Sequence, residues 1–295
     1  MKEDKSFTWT PVEAESLRLQ GMKVAVIGGT GGIGRAFSRL FAARGAEVIV
    51  VGRSFRDAGT PGLQFVEADL SSMAEAQRVA KALPAEGLDL LIFTTGIFAS
   101  LKRQETAEGI ERDLAVSYLN RFVMLRELAP RLGSNRQNPK GKPRVFFVAY
   151  PGSDQIGTPD DLNAEKSYKA MAQHMNTVAG NEILILDAAQ RYPGVGFYEF
   201  NPGLIATDIR SNFLGHNKLL FGALEWMIGL FSKDVDTYAR RMVPLMIAPE
   251  LEGRTGDMFN DKAQAILPSA GLTPQHRDRF LRASEALVVQ AGVTA

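Results

Sequence analysis

The sequence predicts an α/β protein, a doubly wound parallel sheet with helices on both faces, and two observations predict it. Six short runs rich in β-branched and aromatic residues, KVAVIGG, EVIVVGR, LQFVEAD, LDLLIFTTG, RVFFVAYPG and VGFYEFNPG, follow one another along the chain. Segments with apolar residues at helical spacing separate most of them, which is the alternation a parallel sheet needs for its crossovers. The composition fits a single sizeable core: 295 residues, 45% hydrophobic and 23% charged. No internal repeat, low-complexity tract or linker divides it.

Residues 1–20, MKEDKSFTWTPVEAESLRLQ, are charged and lack the apolar stretch of a signal peptide, so they read as an N-terminal arm. The main domain then runs over 21–260. Its first strand ends in IGGTGGIGRA, where Gly28, Gly32 and Gly34 stand in a G-x-x-x-G-x-G spacing between an apolar strand and a helix. A pyrophosphate needs that arrangement. A turn without Cβ atoms lets backbone amides approach it, and the helix N-terminus offers unpaired N–H groups and a favourable dipole. Thr30, Gly31, Gly32, Ile33 and Gly34 form the turn, and the fold is therefore expected to be of the Rossmann type.

The end of the second strand selects the dinucleotide. An acidic residue there binds the ribose 2′-hydroxyl of NAD, but this chain has Arg53 followed by Ser54, which favours a 2′-phosphate and hence NADP. Arg35 offers a second positive charge. The plainer alternative is that both arginines are solvated surface residues.

LGSNRQNPKGKPR reads as a surface loop before the fifth strand. After NPGLIATDIR the pattern turns helical, with residues 209–245 expected to cover a substrate and GRTGDMFN to form a last edge strand. Residues 261–295 form a C-terminal extension with one helix, TPQHRDRFLRASEALVV. The apolar stretch at 219–231 is interrupted by Glu225 and is too short to span a bilayer.

Charge and composition narrow the function classes. With 34 Lys plus Arg against 33 Asp plus Glu, the net charge is +1, and neither nucleic acid nor an anionic membrane is expected as partner. The absence of cysteine removes disulfides, thiolate nucleophiles and thiolate metal sites; His174, His216 and His276 lie too far apart for a helical metal motif. A cytoplasmic protein without metal, without integral membrane association and with a small-molecule substrate is the expectation.

On these motifs the chain resembles the short-chain dehydrogenase/reductase family over roughly residues 23–208. The segments DLAVSYLNRFVMLREL and NEILILDAAQRYPGVGF are most similar to its protochlorophyllide- and retinol-reductase-like branch. The resemblance implies that Asp69, followed by Leu70, contacts the adenine. It implies that FTTGI, with Thr94, Thr95 and Gly96, replaces the family's N-N-A-G. It also implies that NPGLIAT, with Pro202, Gly203, Leu204 and Thr207, lies beside the nicotinamide. The helices around 113–128 and 164–190 form a dimer interface in the family, so a homodimer is a further expectation.

The catalytic positions break the match. The family works with Asn, Ser, Tyr and Lys, the lysine one helical turn after the tyrosine and lowering its pKa. Here no Y-x-x-x-K occurs: Tyr168 is followed at the fourth position by Ala172, and Lys169 points to another helix face. Asn181, seven residues after His174, favours a register in which His174 replaces the tyrosine and Val178 the lysine. Ser117 then takes the Asn position, and the serine falls near Tyr150, with Ser153 the nearest hydroxyl. His174, Tyr150, Ser153, Ser117 and Tyr168 are the candidate catalytic residues, each with an alternative as an ordinary packing, turn or helix residue.

The expected function is an NADP(H)-dependent oxidoreductase with an atypical site, acting on a carbonyl, alcohol or activated double bond of a hydrophobic small molecule. A non-redox enzyme on the same fold and a non-catalytic NADP(H) sensor are the alternatives.

Overall fold

All six runs form strands in the computed structural model, which describes residues 1–137, 139, 141–203 and 234–294. They are β1 (Lys23–Ile27), β2 (Glu47–Gly52), β3 (Leu63–Glu67), β4 (Leu90–Phe93), β5 (Arg144–Val148) and β6 (Gly196–Phe200), joined by β7 (Asp257–Phe259) and β8 (Ala265–Ile266). The order across the sheet is β3-β2-β1-β4-β5-β6-β7-β8. Only the last pair is antiparallel. The winding direction reverses between β1 and β4. Loops leaving the carboxyl ends of those two strands diverge there, and the crevice between them is where such sheets bind ligands.

The helices are α1 (Gly32–Ala43), α2 (Met73–Ala82), α3 (Arg112–Leu114), α4 (Asn120–Leu128), α5 (Ala170–Arg191), α6 (Val235–Met246) and α7 (Pro274–Gln290). Alternation along the strands divides the core between the two faces of the sheet. Ala25, Ile27, Phe93, Phe147 and Phe197 pack toward α2, α4, α5 and α7. Val24, Val26, Val50, Phe146, Tyr198 and Phe200 pack toward α1, α6 and the N-terminal arm. Phe146 and Phe147 are both fully buried, on opposite faces, so truncating either to alanine is expected to cost about 3–5 kcal/mol.

The arm is part of the sheet's edge. Asp4 N–H donates to Ala265 O at 2.9 Å and Leu267 N–H to Lys2 O at 2.8 Å, covering the outer side of β8. The C-terminal helix is likewise built in: Phe280, Leu281 and Val288 join the core, and Ser284 and the Tyr118 hydroxyl share a hydrogen bond of 2.8 Å.

One departure from regular geometry bears on the site. Between α3 and α4 the chain makes a wide π turn, Ala115–Leu119, instead of a continuous α-helix. Side chains bond to the carbonyls of this turn: Asn120 Nδ2 donates to Ala115 O at 3.0 Å and Val116 O at 2.5 Å, and Asn181 Nδ2 to Ser117 O at 2.9 Å. Leu204, Thr207 and most of the expected substrate-covering region, 209–233, lie outside the described residues. No helix among the described residues is long and apolar enough to cross a membrane, and no described cluster of His, Asp and Glu is arranged to hold a metal ion.

Candidate active site

Close packing of two loops builds the cofactor side of the crevice. Gly28 N–H donates to Val51 O at 2.9 Å, and its φ of +87° is available only to glycine at little cost. A Cβ there would lie 2.7 Å from Thr95 N and 2.9 Å from Thr94 Oγ1. A Cβ on Gly34 would run into Thr94 Oγ1 and lie 2.5 Å from Gly28 O. The turn after β1 is thus pressed against the turn after β4, and Thr94 Oγ1 donates to Ile27 O at 3.0 Å across the seam. Thr30 packs on Gly52 at the end of β2, while Gly31 and Gly32 stay exposed at the start of α1, with Ile33 partly buried behind them. Exposed backbone amides at a helix N-terminus, beside crowded Gly28 and Gly34, fit a dinucleotide pyrophosphate.

At the end of β2, Arg53 and Ser54 are exposed, and Arg53 has no ion-pair partner among the described residues. Arg35 differs: its Nε and Nη2 bind both oxygens of Asp57 at 2.8 and 2.7 Å. Its charge is already matched, whereas that of Arg53 is not among the described residues. Asp69 is exposed at the end of β3 and its Oδ1 accepts Ser71 N–H at 3.0 Å. Partial burial pushes its carboxyl up, but the Ser71 bonds and the charges of Arg53 and Arg112 hold it below the usual range. Buried Leu70 follows it. Gly96 lies partly exposed beyond β4; Pro202 and Gly203 do so beyond β6, where Gly203 takes φ +67° and donates to Asn201 Oδ1 at 2.9 Å.

On the other side of the crevice, His174 sits in the second turn of α5. Its Nδ1 is 2.7 Å from Asp113 Oδ2, and its ring stacks on Phe98 with centroids 4.2 Å apart. The imidazole side chain is 15% exposed and Asp113 is fully buried. Ser117 completes the group: its hydroxyl donates to Asp113 Oδ1 at 2.5 Å and accepts Ile97 N–H at 3.0 Å.

Three of the sequence candidates therefore have assignable places. His174 and Ser117 are joined through Asp113. Tyr168 is a tether: its hydroxyl donates to Ser100 O at 2.5 Å, and burial, with the charges of Glu111 and Asp113, pushes it up to about 12. Tyr150 is 44% exposed beyond β5. Ser153 Oγ is buried with no hydrogen-bond partner among the described residues, and neither it nor Tyr150 bonds to the His174 group there. Val178 is buried at the position where the resemblance implies lysine.

Sequence reasoning missed Asp113 and Phe98. The spacing Asp113-x-x-x-Ser117 was the readable signal, since residues four apart on a helix share a face. It also missed Arg121, which is 2% exposed and donates to Thr95 O, to Val148 O at 3.0 Å and to Asn181 Oδ1 at 3.2 Å. Arg121 ties the carboxyl ends of β4 and β5 to α5 from beneath. Complete desolvation, only partly offset by the Glu199 charge, lowers its pKa to about 10. Glu182 secures the next loop, accepting Gly152 N–H at 3.1 Å, Ser269 N–H at 2.5 Å and the Ser269 hydroxyl at 2.8 Å.

A glycine turn between a strand and a helix, faced across a parallel-sheet crevice by a largely buried His–Asp–Ser group, is an arrangement that fits the short-chain dehydrogenase/reductase class. The short chain dehydrogenase family model matches residues 22–142. An uncharacterized oxidoreductase of Saccharomyces cerevisiae is 46% identical over 294 residues, 98% of this chain and 95% of that one. A polyprenol dehydrogenase of Mus musculus is 29% identical over 265 residues, 83% of this chain and 77% of that one. Among solved structures, an NAD(P)-dependent gluconate 5-dehydrogenase from Beutenbergia cavernae with NADP bound at low occupancy is similar in fold. Its TM-score is 0.61 at 19% identity, over 83% of this chain and 97% of that one. The chain belongs to the short-chain dehydrogenase/reductase family, whose members use NAD(P).

Proposed function

We propose that the protein is an NADP(H)-dependent oxidoreductase that interconverts an alcohol and a carbonyl on an apolar small molecule, with His174 exchanging the proton. The observation that carries this reading is the held imidazole: a ring bonded to a buried carboxylate and stacked on Phe98 stands where the family resemblance implies its proton-exchanging tyrosine. NADP is preferred because Arg53 is an exposed cation at the end of β2 and an arginine pairs with a phosphate through several charge-assisted bonds. The glycine turn holds the pyrophosphate, and Asp69 and Leu70 border the adenine.

An apolar substrate is supported by the surroundings of the histidine. Met171, one turn before it on α5, is 53% exposed, and Leu101, beside the residue that anchors Tyr168, is 67% exposed. The polyprenol dehydrogenase among the relatives, named for an apolar alcohol, points the same way. NADPH, held by the glycine turn and Arg53, would supply the hydride for the carbonyl carbon. His174 gives its Nε2 proton to the oxygen that becomes the alcohol, and takes one back in the oxidative direction.

The test is steady-state turnover of a panel of long-chain and prenyl aldehydes, ketones and alcohols with NADP(H) and NAD(H), on wild type and His174→Gln. Wild type is expected to prefer NADP(H), and the variant to lose about 10²–10⁴ in kcat with NADPH affinity unchanged. Full activity in the variant refutes the role of His174. Substrate conversion without net cofactor change, or NADPH binding with no turnover across the panel, refutes the redox reading.

A further inference from the structure

Replacing both Tyr and Lys removes the family's electrostatic pairing, and the structure contains a substitute of opposite sign. A tyrosine acts through an anion, so a cation beside it helps. An imidazole acts through a cation, so a lysine one turn away would oppose it and a carboxylate suits it. At those places this chain has Val178, neutral and buried, and Asp113, whose Oδ2 is 2.7 Å from His174 Nδ1.

We infer that Asp113 is the positioning residue of this site, holding the Nδ1–H of His174 so that Nε2 faces the substrate. The inference rests on the reading of His174 as the proton-exchanging group. Both oxygens of Asp113 are engaged. Oδ1 takes the Ser117 hydroxyl at 2.5 Å, and Ser117 is in turn fixed by Ile97 N–H at 3.0 Å. A carboxylate only accepts, so the bond to Oδ2 requires the proton on Nδ1 and leaves the Nε2 lone pair free in the neutral ring. Stacking on Phe98 fixes the ring plane, and the π turn orients the helix segment carrying Ser117.

The proton balance follows. In reduction, as a bound NADPH would supply hydride to the carbonyl carbon, the C=O π pair would move to oxygen. That oxygen takes the Nε2 proton of the imidazolium, leaving alcohol, NADP⁺ and a neutral ring still protonated on Nδ1. Asp113 keeps the same protonation state throughout, and oxidation runs the steps in reverse.

The test uses the full chain with ¹⁵N-labelled histidine. There are three histidines, and His174→Gln assigns the signals of His174 by their loss. Long-range ¹H–¹⁵N correlation of the neutral form is expected to show His174 in the Nδ1–H tautomer. An Nε2–H tautomer in wild type overturns the inference without any variant having to fold. In Asp113→Asn, the signals are expected to move toward the Nε2–H tautomer and kcat to fall about 10²–10⁴-fold with NADPH affinity unchanged. Loss of activity in His174→Gln, with Asp113→Asn retaining both tautomer and kcat, overturns the role of Asp113 alone. Full activity in His174→Gln removes the reading beneath it, whatever the tautomer.

Discussion

The two sides of the crevice meet their tasks under different constraints. On the β1–α1 side, Gly28 and Gly34 leave no room for a Cβ against Thr94, Thr95 and Gly28 O, so the binding geometry is made of backbone. On the α3–α5 side, the working contacts are between side chains: His174 to Asp113, Asp113 to Ser117, and Phe98 beneath the imidazole. A backbone cradle admits few sequences. Proton exchange asks only for a titratable group in a fixed orientation, and several residue combinations provide one. The first side is therefore constrained to a glycine pattern, whereas the second is constrained only in the geometry of its side chains.

The largest expected effect tests the first side. Gly34→Ala puts a Cβ against Thr94 Oγ1 and 2.5 Å from Gly28 O, so the two turns must part. Overpacking of this kind costs about 1–3 kcal/mol, and the displaced amides no longer converge on the pyrophosphate. Calorimetric titration is expected to show NADPH affinity reduced more than about a hundredfold. Wild-type affinity would mean that the cradle tolerates side chains and that the contrast between the two sides is false.

A smaller effect separates the two arginines near the ribose. Arg53→Asp is expected to weaken NADPH binding by more than about tenfold while sparing or improving NADH. Arg35→Ala is expected to change either affinity by less than about threefold, because Asp57 already matches the Arg35 charge at 2.7 Å. Exchanged outcomes would move the phosphate contact from the end of β2 to α1.

The close-packed glycine turn was legible because its packing leaves so little room for side chains. G-x-x-x-G-x-G between a strand and a helix has few other uses, and near-continuous runs of β-branched, aromatic and other apolar residues mark the central strands because both of their faces are buried. His174 and Ser117 were singled out as candidates by register against a family pattern. The bond between His174 and Asp113 was not legible, because it joins residues 61 apart in the chain. Arg35 was read as free because its partner, Asp57, lies 22 residues on, in the loop between β2 and β3. The π turn was invisible too: it is held by Asn120 and Asn181, and neither a proline nor a glycine marks it.

The last prediction concerns two buried acids beneath the second side. Asp113 has both oxygens bonded. Glu199 on β6 is fully buried, and neither of its oxygens has a hydrogen-bond partner among the described residues. Burial, reinforced by the charge of Glu182, raises its pKa well above the usual carboxylate range, and the Arg121 charge offsets this only in part. Burial likewise raises Glu182. A raised carboxyl binds a proton in the folded state that the unfolded chain releases above about pH 4.3. Its contribution is therefore fully present below that pH and is lost as pH rises toward the folded value. Glu199→Gln removes this proton linkage and the repulsion with Glu182. Between about pH 4.5 and 7.5 the wild type is expected to lose stability relative to the variant in urea unfolding. Parallel stability curves would place a partner on Glu199 in solution. The second side would then rest on a fully paired foundation, as Asp113 already does.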